Sequence, residues 1–154
     1  MTLTLRRALL ALLAFAGGYT GIWACAAPRH WYANFPGFGR HWLPPLGPYN
    51  QHLIVDAGAM FVALTAIALL ALARARDDGT VRTTATAWLV FNVLHTVFHM
   101  THLHMYGTLD KALNAAGLTA VLVASLALLL PVPRGAVPAR PRTGTGPTAA
   151  DRTG

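Results

Sequence analysis

Four long stretches without a single charged residue constrain this chain more than any other feature. They run from Ala8 to Pro28, Ala57 to Ala73, Thr83 to Leu109 and Ala112 to Pro133. Crossing the hydrocarbon core of a bilayer takes about 20 mainly apolar residues in helical form. Backbone groups in lipid must bond internally, so stretches of this length predict helices rather than strands. Spans are expected near residues 5–26, 51–73, 82–105 and 110–131, the second taking in Asp56. The predicted fold class is all-α: a four-transmembrane-helix up-down bundle with a long aromatic and Pro-rich outer loop.

Charge sets the orientation. Lys and Arg collect on the cytoplasmic side of membrane helices. With the N-terminus inside, Arg6, Arg7, Arg74, Arg76, Arg82, Arg134, Arg140, Arg142 and Arg152 fall inside, and Arg29, Arg40 and Lys111 outside. Nine against three predicts both termini cytoplasmic, in a multi-pass plasma-membrane protein. The +7 balance is therefore topological. Its basic residues are dispersed between apolar runs, which argues against a nucleic-acid surface. The five acids are all Asp, which excludes a Glu general base. A competing reading makes the first span a secretory signal, with Arg6-Arg7 before an apolar run and Ala24-Cys25-Ala26-Ala27 as cleavage site. The run of roughly 18 residues exceeds the usual 7–15, and Trp23 suits such a site poorly.

The connections predict packing. The short Arg74–Thr80 segment makes the second and third spans an antiparallel hairpin. Gly107 should end the third span and Thr108 cap the fourth. Gly17, Gly18 and Gly21 would let the first span approach a neighbour closely. The Pro-rich connection from Ala27 to Asn50 carries Trp31, Tyr32, Phe35, Phe38, Trp42 and Tyr49, and should lie on the bundle as a cap or anchor it in the interface. Residues 132–154, rich in Pro, Gly and Arg, are expected to form a disordered cytoplasmic tail.

All seven histidines lie in the outer half or the outer loop: His30, His41, His52, His95, His99, His102 and His104. On the third span, Trp88, Asn92, His95, His99, His102 and Tyr106 recur at three- and four-residue spacing. They form one face about 60° wide at 100° per residue, and His104 points away. Such a stripe should face the bundle interior. On the second span His52 and Asp56 share a face, and Asp56 is expected level with His99. A carboxylate in a span is costly unless paired, protonated or bound to a cation.

The candidate site is therefore His99 and Asp56 with His95, His102 and His52, and Asn114 as an added oxygen donor. Imidazole and carboxylate suit a transition metal such as Zn, Fe or Cu. His95 and His102 are about 10 Å apart along the axis, so one ion would take His99 with only one of them. Haem is less favoured, because His52 sits near the surface. A His–Asp pair doing metal-free enzyme or proton-relay chemistry is the alternative. So is a role as a structural subunit of a membrane complex, with the polar groups only cross-linking helices; the lipid bilayer and a homo-oligomer or membrane complex are the expected partners. Several sharper readings fail. There is one histidine cluster where membrane di-iron hydroxylases need several, and a lone Cys25 where a dithiol oxidoreductase needs two.

The run Pro48-Tyr-Asn-Gln-His-Leu-Ile-Val-Asp56-Ala-Gly-Ala, together with His95-x-x-x-His99-x-x-His102, resembles a family of small four-helix membrane proteins from actinobacteria. Phe35-Pro-Gly-Phe-Gly-Arg40 and Trp88-Leu-Val-Phe belong to the same pattern, which covers about residues 30–130. Eleven Arg to one Lys, with abundant Ala, fits a GC-rich genome. The resemblance implies a fold and a topology and no reaction.

Overall fold

The structure is a computed structural model that describes residues 1–131, so the expected tail at 132–154 lies outside the described residues. It is all-α. Helix α1 spans Leu3–Ala26, α2 Pro28–Asn34, α3 Gln51–Ala73, α4 Asp78–Thr101 and α5 Thr108–Ala127. A minimal hairpin interrupts the series, Pro36–Gly37 (β1) paired antiparallel with Arg40–His41 (β2), and 3-10 turns follow at Pro44–Leu46 and Leu103–Met105.

Local chemistry explains the boundaries. Thr2 and Asn50 cap α1 and α3 by accepting from the backbone of Leu5 and Leu53. Asp77 caps α4 through the Gly79 and Thr80 amides, so α4 starts one turn before the uncharged run. At its other end α4 stops at Thr101 and gives way to the 3-10 turn. Thr108 is not a cap. Gly107 is extended and holds that position without a side-chain bond, and Thr108 is already helical. Helix α2 was not expected within the outer loop; its signal is Pro28 at the first helical position, where the missing N–H costs nothing.

Among the described residues three helices, α1, α3 and α5, are long and apolar enough to cross a membrane. Helix α4 matches them in length, but carries Asp78, Arg82, four Thr before Trp88–Val90 and Asn92, and two His.

Helices α1 and α3 run antiparallel, as their contacts show. Gly17 of α1 lies against Thr65, and Gly21 against Gly58 and Val62 of α3. Trp88 of α4 donates to the Leu64 carbonyl of α3 at 3.0 Å. Asn92 of α4 donates to Ser125 Oγ of α5 at 2.8 Å and to the Val121 carbonyl at 3.1 Å. The closest seam is α1 on α3, not the α3–α4 hairpin, because glycines remove the side chains that would separate those two backbones.

The core has two centres. One, around Leu10, Leu13, Ala68, Val81, Trp88 and Leu128, fills the half nearest the N-terminus. Its end is closed by Arg6, fully buried, which donates to Asp78 at 2.7 Å and to the Ala75 and Leu130 carbonyls at 3.2 Å each. One guanidinium thus ties α1, the α3–α4 connection and the end of α5. The second centre gathers Ala24, Trp31 and Ile54 under the 27–50 segment.

Candidate functional site

The inner half of α4's polar stripe turns into the protein as its spacing predicts. Trp88 and Asn92 are buried, and the His95 and His99 rings lie one turn apart with centroids 4.4 Å from each other. His95 also stacks on Phe91 at 4.9 Å and meets Phe61 of α3 edge-on. These groups line a cavity of about 300 Å³, at the small end of the range for ligand pockets, about 300–1,000 Å³. Ala16 and Thr20 of α1, Ala57 and Met60 of α3, and Asn114, Gly117 and Val121 of α5 complete its sides.

The 27–50 segment supplies its roof: Trp31, Phe35, Trp42 and Leu43 line the cavity. The Trp31 and Phe35 rings are 5.3 Å apart, and Phe35 meets Trp42 edge-on at 6.2 Å. This roof is bolted to the start of α5. Asp110 Oδ1 accepts from Arg40 at 2.6 Å and from Trp42 Nε1 at 2.8 Å. Tyr106 donates to the Trp42 carbonyl at 2.7 Å. Tyr32 donates to the Gly47 carbonyl at 2.6 Å, drawing the far part of the segment onto α2.

The remaining expected residues lie elsewhere. His52 and Asp56 bond to each other at 3.2 Å along α3, their side chains 89% and 62% exposed. Asp56 is not a lining residue of the cavity that holds His99. Helix α3 turns Gly58 and Val62 toward Gly21 of α1, and the Asp56 side chain is left exposed. His102 has left the helix as its C-cap, with its ring nitrogen 2.7 Å from the Phe98 carbonyl. The five candidate ligands therefore do not converge. Among the described residues no three His, Cys, Asp or Glu side chains form a group able to hold a metal ion.

The cavity's hydrogen-bonding capacity is selective. Among the described residues no Asp, Glu, Lys or Arg lines it. Trp88 Nε1 and Trp42 Nε1 are both used within the protein. Asn114 is only 4% exposed and its amide makes no hydrogen bond among the described residues. Trp31 Nε1 and His99 Nδ1 are buried atoms without a partner among the described residues. Buried polar groups are normally satisfied, and each that is not costs about 1–3 kcal/mol. Two such groups around one cavity, with the unbonded Asn114 amide in its wall, are the structure's clearest functional signal. Sequence spacing revealed His99, and Asn114 appeared there only as an auxiliary oxygen; Trp31 gave no sign, since its role depends on the roof folding down.

The fold and site together define an all-α protein with helices long and apolar enough to cross a membrane and a partly open, aromatic-lined cavity. No protein-family model, curated protein or solved structure matches the chain.

Proposed function

We propose that this is a multi-pass plasma-membrane protein that binds a small, uncharged, largely apolar molecule in the cavity beneath the 27–50 segment. In this reading all four long helices cross the bilayer, and α4 is tolerated there because its polar face turns inward. Both termini are cytoplasmic, by the Arg distribution, and the cavity opens toward the outer half. One observation carries the reading: Asn114, buried in the cavity wall, has no protein partner for its amide. A ligand bearing a hydrogen-bonding group would relieve it, while the apolar walls supply most of the binding.

Native mass spectrometry of protein released from mild detergent tests this. A bound small molecule is expected as purified, or after incubation with a membrane lipid extract, and its occupancy should fall in Asn114→Leu. A bare chain in both conditions overturns the reading.

A transition metal is the second reading, favoured by the His95 and His99 rings one turn apart. Those two imidazoles and the Asn114 amide oxygen would be its donors, without the carboxylate that Asp56 was expected to add. Zinc, iron or copper at stoichiometry, lost in His99→Ala, is its signature.

A further inference from the structure

We infer that the cavity's ligand is a neutral ring compound carrying a hydroxyl or carbonyl oxygen, and not an acyl chain or a charged metabolite. The inference rests on the cavity-binding reading above and names the ligand class. Neutrality follows from the lining: among the described residues it holds no Asp, Glu, Lys or Arg to pair a charge, and an unpaired charge is not carried into an apolar site.

Ring shape follows from the walls. The roof is a set of aromatic rings, Trp31, Phe35 and Trp42. Facing the same cavity from α3 and α4 is a second set: Phe61 and Phe91 edge-on at 5.0 Å, Phe91 and Trp88 edge-on at 6.5 Å, and His95 stacked on Phe91. Aromatic rings prefer stacked or edge-to-face neighbours with centroids about 4.5–7 Å apart. An aromatic guest placed between the two sets continues that pattern on both sides, which a flexible chain cannot do without losing its rotamer freedom. The oxygen follows from Asn114, whose amide offers both a donor and an acceptor to the cavity.

The test uses the full-length protein in lipid nanodiscs and three probes of equal carbon number, measured by equilibrium dialysis against empty discs. They are 2-naphthol, naphthalene and 1-decanol. The ring class predicts saturable binding of 2-naphthol at one per chain, about tenfold tighter than naphthalene, since a factor of ten is what one well-made hydrogen bond of about 1.4 kcal/mol supplies, and tighter than 1-decanol, whose hydroxyl can make the same bond but whose chain must give up rotamer freedom. Asn114→Leu should abolish the preference for 2-naphthol over naphthalene. Because Asn114 has no protein partner to lose, this variant should melt no lower than the parent; His99→Phe, expected to weaken 2-naphthol binding, is the second variant. If 1-decanol binds as tightly as 2-naphthol, the ring class is overturned while the cavity reading stands. If 2-naphthol keeps its advantage over naphthalene in both variants, the assignment of the oxygen to this site is overturned. If none of the three binds saturably, the cavity reading fails as well.

Discussion

Gly21 of α1 and Gly58 of α3 meet backbone to backbone: a Cβ built on Gly21 would lie 2.8 Å from the Gly58 carbonyl oxygen. The same Cβ would sit 2.8 Å from the Val62 nitrogen, so neither obstacle is a side chain that could swing away. Gly21→Ala should therefore force the helices apart and destabilise the protein by about 1–3 kcal/mol, the usual cost of overpacking. Gly18→Ala is the control, because its Cβ would meet only the Thr65 side chain at 3.5 Å or more. Thermal unfolding of both variants in one detergent checks the contrast, and equal melting temperatures would refute it.

Arg6 is read first as a topology charge, yet its guanidinium is buried against Asp78. Asp78→Ala leaves that charge without its carboxylate. A loss of about 2–3 kcal/mol is expected, below the 3–5 kcal/mol of a fully buried pair because the Asp78 side chain is 23% exposed. Arg6→Met combined with Asp78→Leu should recover part of this loss in the same unfolding assay.

Asp110 holds the roof through Arg40 and Trp42. Asp110→Ala should free the 27–50 segment at that end, leaving the helices in place. Limited proteolysis is expected to cut within 27–50 several times faster in the variant, with an unchanged helical circular dichroism spectrum. Equal cleavage rates would show that Tyr106 and the ring contacts suffice.

The His52–Asp56 pair lies outside the cavity. Asp56→Asn should accordingly leave 2-naphthol affinity within about twofold of the parent, whereas His99→Phe lowers it. Such a twofold window corresponds to about 0.4 kcal/mol. An effect of Asp56→Asn as large as that of His99→Phe would restore the shared site that the residue spacing suggested.

The Asp77 cap has a pH signature. The Thr80 hydroxyl donates to the Asp77 carboxylate, followed by the Gly79 amide, and these bonds hold its pKa below the ordinary 3.8. A carboxylate with a depressed folded value stabilises above the unfolded pKa, and that contribution fades as pH falls through the folded one. Between about pH 5 and pH 2 the parent should lose more stability than Asp77→Asn, whose cap does not titrate.

Periodicity and hydropathy were enough for the long helices, though not for α2. The α3 bounds, Gln51–Ala73, coincide with the expected span, and α1 and α5 differ from theirs by a few residues at the ends. Uncharged length determines that a segment must be helical in lipid, and a three- and four-residue spacing determines which side chains share a face; both are local properties. The glycines of α1 also announced a close approach, though not to which helix. Rotation about a helix axis is a different matter. Whether Asp56 faces α4 or the outside depends on which face of α3 the α1 glycines claim, a contact between residues more than 30 positions apart. Likewise Trp31 and Asn114 became neighbours of one cavity only when Asp110 drew the outer segment down onto α5. Sequence by itself determined the helices and the polar face of α4; tertiary packing alone decided which polar groups share a site, because that choice is made by long-range contacts no local pattern encodes.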